Sequence, residues 1–126
     1  MKGAMKTILL ILIPTIILSQ SFNDGSTYRL SGGSYYINGN IKARKYGNQI
    51  NVLSNNTFLQ INGNVIYSPD RNIEYRIFNG NLADRYGSRV AYIQGNRLYD
   101  NLGFVCNVNL DNVDIFILYL LHKNKL

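Results

Sequence analysis

Apolar and polar positions alternate along most of this chain in runs of four to six residues, and turn-forming residues separate the runs. Ile73-Glu74-Tyr75-Arg76-Ile77 alternates cleanly, and Ile50-Asn51-Val52 does so over a shorter span. Strict alternation puts one face in a core and the other in water, which predicts half-buried strands. Val90-Ala91-Tyr92-Ile93 is apolar on both faces, as a strand near a central axis would be. The pattern predicts a β-meander, with Tyr28-Arg29-Leu30 as its first strand and Phe22 to Thr27 as a disordered lead-in.

The turns come in two kinds. Three Asn-Gly dipeptides, at 38–39, 62–63 and 79–80, and Gln94-Gly95 stand in matching contexts. Asn-Gly is the favoured pair for a two-residue type I′ hairpin, because both central residues need positive φ, which Asn tolerates and Gly adopts freely. Between them lie longer turns: Asp84-Arg85-Tyr86-Gly87, Asp100-Asn101-Leu102-Gly103 and Ser68-Pro69-Asp70-Arg71-Asn72. In each a polar residue opens a type I-like turn, and Gly, or Asn72 in the last copy, is expected to close it from the left-handed region. Asp84 and Asp100 are thus expected to be turn formers, and Asn55-Asn56 to replace one Asn-Gly turn. The unit is a strand, a four-residue turn, a strand and a tight turn, recurring every 15 to 17 residues with one interval of 24 between Gly39 and Gly63.

The two ends break the pattern. Val113 to Leu121 is nearly continuous apolar sequence, too short to span a bilayer as a helix, and is expected to be a buried closing strand or a short helix plugging the assembly. At the other end Lys2 and Lys6 precede an apolar run from Thr7 to Leu18, and Ser19-Gln20-Ser21 supplies small residues for cleavage. Residues 1–21 therefore read as a secretory signal peptide, leaving 22–126 as a single β-repeat domain with its core at about 35–121. The expectation is an exported protein, periplasmic or extracellular, with no stable membrane span once the signal is cleaved.

The block Gly95-Asn96-Arg97-Leu98-Tyr99-Asp100-Asn101-Leu102-Gly103, alternating with short Val/Ile strands and ended by an apolar segment, resembles the bacterial four-fold β-flower proteins. The resemblance covers roughly Tyr35 to Leu121. It implies an all-β fold of short hairpin repeats arranged radially, a β-flower or propeller-like meander, closed by the apolar C-terminal segment. It implies no activity, because the family carries none that could be transferred to residues here.

Composition narrows the chemistry. The formal charge is +6 over 126 residues, and loss of Lys2 and Lys6 with the leader brings it to +4. The remaining cations are spread along the repeats, at their densest in Lys42-Ala43-Arg44-Lys45, and form no long basic run, which argues against a nucleic-acid partner. Cys106, the only cysteine, cannot form an intrachain disulfide and is expected to be a small buried hydrophobe. His122 is the only histidine, so a His/Cys zinc site lacks ligands. No catalytic residue, metal site or cofactor is expected, and Asp70, Asp84, Asp100 and Asp111 recur at repeat spacing, which would put them on separate petals.

Binding is better supplied. Ten tyrosines and no tryptophan are interleaved with Asn, Gln and Arg, a mixture suited to carbohydrate or peptide, where an aromatic face packs while amides hydrogen-bond. Tyr67, Tyr75, Tyr86, Tyr92 and Tyr99 are the candidate ligand-binding residues, on the expectation that the petals make a common surface. The reading is an exported, non-enzymatic β-repeat domain, structural or ligand-binding, with a glycan or another envelope component as partner. The alternatives are a curlin-like cross-β fibre subunit, in which Asn ladders stack along an axis, and a small secreted hydrolase, which would need a clustered carboxylate pair. Oligomeric state is left open by the sequence.

Overall fold

Among the described residues twelve short strands follow one another, each antiparallel to the next, in a single sheet whose spatial order is the order of the chain. The computed structural model describes residues 20–126. Of the expected leader, residues 1–21, the first nineteen lie outside the described residues and the last two, Gln20 and Ser21, form the first strand. The strands are β1 (Gln20–Ser21), β2 (Thr27–Ser31), β3 (Ser34–Ile37), β4 (Asn40–Tyr46), β5 (Gln49–Val52) and β6 (Thr57–Asn62). They continue as β7 (Val65–Tyr67), β8 (Ile73–Phe78), β9 (Asn81–Asp84), β10 (Arg89–Gln94), β11 (Arg97–Asp100) and β12 (Gly103–Asn107), and one helix, α1 (Asn112–His122), ends the chain. The fold is all-β, a meander closed by its apolar C-terminal segment, and that segment is a helix.

The sheet curls into a nearly closed barrel, and its two ends carry different turns. At one end five two-residue loops, Gly32-Gly33, Gly47-Asn48, Gly63-Asn64, Asn79-Gly80 and Gly95-Asn96, recur every 15 or 16 residues. At the other end lie two more two-residue loops, Asn38-Gly39 and Asn101-Leu102, and the longer connections around Asn55, Asp70 and Arg85. The expected interval of 24 residues therefore disappears, because it joined Gly39 and Gly63, which sit at opposite ends.

The Asn-Gly dipeptides also divide. Asn38-Gly39 and Asn79-Gly80 have both residues at positive φ, as a type I′ turn needs. Asn62-Gly63 is not the turn pair: Asn62 is the last residue of β6 and pairs with Val65, and only Gly63 of the loop is left-handed, the type II′ pattern. That register pairs Ile61 with Ile66 on the inner side. A turn centred on Asn62-Gly63 would set Asn64 opposite Ile61 and bury its amide.

Inward positions repeat with the same cadence. Tyr35, Ile50, Ile66, Leu82 and Leu98 are all fully buried, one from each odd-numbered strand from β3 to β11. On β4 and β10 the buried position is a small residue, Ala43 and Ala91, and on β12 Val105 and the small Cys106 are both buried. Register shifts occur opposite Tyr35-Tyr36, Ile66-Tyr67, Ala83-Leu82 and Leu98-Tyr99, placing bulges at Lys42, Glu74, Val90 and Val105. An extra residue on one strand of a pair bends that strand and raises its twist, which is how a meander curls far enough to close.

Small inner residues leave room for α1. Its seven consecutive residues Ile115 to Leu121 are all buried, so the helix has no solvent face. A helix apolar all round must be enclosed, and here one sheet encloses it. It enters at the tight-turn end, where the Tyr35 hydroxyl donates to Asp114 Oδ1 at 2.7 Å and Lys45 Nζ stands 3.7 Å from the same oxygen. It leaves at the wide-turn end, where the Tyr119 hydroxyl donates to Asp100 Oδ2 at 2.9 Å and His122 Nε2 lies 2.8 Å from Asp24 Oδ2. A Schellman motif finishes it: Lys125 N–H donates to Leu120 O and Asn124 N–H to Leu121 O, with Asn124 left-handed.

The lead-in expected to be disordered is an ordered part of the seam. Phe22 is buried, stacked 4.1 Å from the His122 ring, and its N–H donates to Ser26 O across the Asp24-Gly25 turn. Asn23 N–H then donates to Val105 O, and Tyr28 Oη to Asn107 O, joining the first strands to β12. The barrel closes through these contacts instead of a continuous ladder. Among the described residues no helix is long and apolar enough to cross a membrane.

Burial also sets how the core titrates. Desolvation pushes the Cys106 thiol up to about 11, and raises the phenols of Tyr28, Tyr35, Tyr75 and Tyr119 above their ordinary 10.0. For groups neutral when protonated, a raised folded value means stability present below the ordinary value, 9.0 for the thiol and 10.0 for the phenols, and lost as pH climbs through the folded values. Cys106 is expected to resist an aromatic disulfide reagent at pH 8 until denaturant is added. In a phenolate absorbance titration these four tyrosines are expected to ionise only with alkaline unfolding.

Candidate functional site

The five candidate tyrosines do not form a common surface. Tyr75 turns inward, packs against the core, and its hydroxyl donates to Lys125 O at 3.2 Å, so it pins the C-terminus. Tyr86 stands at the tip of the β9–β10 turn, 84% exposed. Tyr92 and Tyr99 come together on the outer wall as a cross-strand pair, ring centroids 5.4 Å apart. The Arg89 guanidinium lies 4.2 Å from the Tyr92 centroid, and the edge of Phe104 meets Tyr99 at 6.0 Å. With their faces engaged by neighbours, Tyr92 and Tyr99 serve sheet packing.

Tyr67 differs, because it borders a groove. It faces outward on β7, directly opposite Gln60 on β6, since its neighbour Ile66 is buried. Gln60 and Asn62 share that outer face by the two-residue period of the strand. The tip of the β4–β5 hairpin leans over them, held by the Ile61 N–H donating to Asn48 O at 2.7 Å. The β7–β8 turn closes the other side with Pro69 and Arg71. The groove so formed, lined by Asn48, Gln60, Asn62, Tyr67, Pro69 and Arg71, has a volume of about 680 Å³.

The turn that presents Arg71 is tightly built. Ser68 N–H donates to Asn72 O, Arg71 N–H to Ser68 O, and the Ser68 hydroxyl donates to Asp70 Oδ1. Asn72 Nδ2 donates to Asp70 Oδ2 at 3.0 Å. The Ser68 hydrogen bond is the largest cause holding the Asp70 carboxyl below its ordinary value. Arg71, not Asn72, takes the left-handed position, at φ 69°. A non-glycine residue there is strained by about 1–2 kcal/mol. Replacing it with Gly removes that strain at some cost in chain entropy, so Arg71→Gly is expected to stabilise the fold by about 0.5–1 kcal/mol in a urea titration.

No acid lines this groove, and three acids elsewhere are engaged by the protein. Asp84 Oδ1 accepts from Tyr86 N–H and Ser88 N–H, and Asp100 Oδ1 accepts from Leu102 N–H, so both are turn formers as expected. Glu74 pairs with Arg85 at 2.8 Å. The symmetry argument that separates the acids by petal does not hold for Asp84 and Asp100, which line one cleft at the wide-turn end. Among the described residues no group of three His, Cys, Asp or Glu side chains is placed to hold a metal ion.

Sequence reasoning singles out Tyr67 but not its companions. Gln60 and Asn62 follow from period-two alternation once β6 is known to bury Leu59. Asn48 and Arg71 depend on turn register, which the Asn-Gly dipeptides misplace. Compared with known proteins, the chain matches no family model, no curated protein and no solved structure.

Proposed function

We propose that the protein is an exported, non-enzymatic β-barrel that holds a neutral segment of an envelope glycan in the groove beside Tyr67. The observation that carries this reading is the composition of the groove: one phenol ring, three primary amides and one guanidinium on a concave, acid-free surface. Each amide offers an acceptor and two donors, which matches vicinal hydroxyls, and the ring supplies an apolar face for a sugar's C–H surface. Its volume is within the range of small-ligand sites. The basic and apolar start of the chain supports export, and the commitment of Asp84 and Asp100 to turns supports a role without catalysis. The regular cadence of hairpins supports kinship with the four-fold β-flower proteins.

The test is an NMR titration with soluble, uncharged fragments of envelope polysaccharide. Saturable shifts centred on β6 and β7 are expected, with affinity reduced about tenfold or more in Tyr67→Ala and unchanged in Tyr86→Ala. Equal binding by Tyr67→Ala and the parent would remove the reading.

A further inference from the structure

At the wide-turn end a second cleft, of about 530 Å³, opens between the β9–β10 turn, the β11–β12 turn and the end of α1. Three cations line it, Arg89, Lys123 and Lys125, beside Asp84, Asp100 and Asn101. None of the three cations has an ion-pair partner among the described residues, whose pairs are Lys45 with Asp114, Arg85 with Glu74 and His122 with Asp24. Of the carboxylate oxygens, both on Asp100 and Oδ1 on Asp84 accept hydrogen bonds from the protein, leaving Asp84 Oδ2 as the acceptor still open.

The backbone that carries the two lysines is fixed. The Schellman motif fixes the backbone of Lys123 to Lys125, and the Tyr75 hydroxyl fixes Lys125 O. Arg89 rests on the Tyr92 ring. Three cations without ion-pair partners among the described residues, against two largely engaged carboxylates, create an unmet demand for negative charge, while Asp84 Oδ2 and the Asn101 amide suit hydroxyl groups. A bare anion would use only the first set, and a neutral sugar only the second.

We propose that this cleft binds a sugar residue bearing a carboxylate, a hexuronate, with the carboxylate on Lys123, Lys125 and Arg89 and a ring hydroxyl on Asp84 Oδ2. It is separate from the Tyr67 groove, which lies on other strands, and stands or falls independently of it.

Calorimetric titration of the purified protein with a short galacturonate oligomer, and with the same oligomer fully methyl-esterified, tests the proposal. The acid form is expected to bind saturably, about tenfold or more tightly than the ester, and Lys123→Ala/Lys125→Ala to lose about tenfold or more in affinity. Those side chains lie at the surface, so the melting temperature of the double variant should match the parent. Tyr67→Ala is expected to bind the acid form normally. Absence of saturable binding, equal affinity for the ester, or full affinity in the double lysine variant would each overturn the proposal. Loss of acid binding in Tyr67→Ala would do so too, moving the ligand to the groove.

Discussion

A chain that stops at Leu110, before α1, is expected to lose cooperative folding altogether. Seven helix residues are buried on every side, six of them Ile, Leu or Phe. Each such side chain contributes about 1.5–3 kcal/mol on burial, so the six supply roughly 10–20 kcal/mol. A domain of this size has only about 5–15 kcal/mol in total. The inner faces of β3 to β11 would also lose their partner, and an apolar lumen of that width has nothing else to fill it. Far-UV circular dichroism with strand signal retained, no thermal transition and strong binding of a hydrophobic dye is the expected outcome. A sharp transition in the shortened chain would show that the sheet folds around something other than the helix.

Within the intact chain, Phe116→Ala is expected to cost about 3–5 kcal/mol, read from the midpoint of urea denaturation. Phe116 is fully buried in the middle of the plug, and the surrounding ladder of backbone hydrogen bonds keeps the wall from collapsing into the space. Tyr119→Phe makes the contrast. It keeps the ring and removes only the hydroxyl bond to Asp100 Oδ2, for a cost of about 0.5–1.5 kcal/mol. If both variants lost the same stability, the helix would be held by its polar ends instead of by packing.

Turn chemistry and alternation make the meander legible in the sequence, because both are local. Asp84 and Asp100 could be read as turn formers from the Gly three residues on, and the structure agrees. Where the reading goes astray, a non-local term decides. Ile73 sits opposite Tyr67 on the outer wall although Ile73-Glu74-Tyr75-Arg76-Ile77 alternates perfectly, because the bulge at Glu74 shifts the register between Ile66 and Tyr67. Alternation cannot reveal a bulge. Val90-Ala91-Tyr92-Ile93 reads as a strand buried on both faces, yet Tyr92 is apolar on the outside because Tyr99 and Arg89 cover it.

The C-terminal segment shows the same limit. An apolar run of this length fits a buried strand as well as a buried helix, since neither has a polar face to set a period. What makes it a helix is the enclosure: inside a barrel its backbone can bond only to itself, and a helix is the conformation that satisfies those groups locally. The Tyr67 groove was half legible for a similar reason. Its strand residues follow from the two-residue period, while Asn48 and Arg71 arrive through hairpin register and a left-handed turn residue.

The central claim, that one nearly closed sheet is built around its own C-terminal helix, is tested most directly by native-state hydrogen exchange resolved by residue. The amides of Ile115 to Leu121 are expected to exchange only through global unfolding, with the same free energy as the amides of Ile50, Ile66, Leu82 and Leu98 at the centre of the wall. Helix amides that exchange by a separate opening of much lower free energy, while the strands stay protected, would contradict it and place α1 outside the barrel.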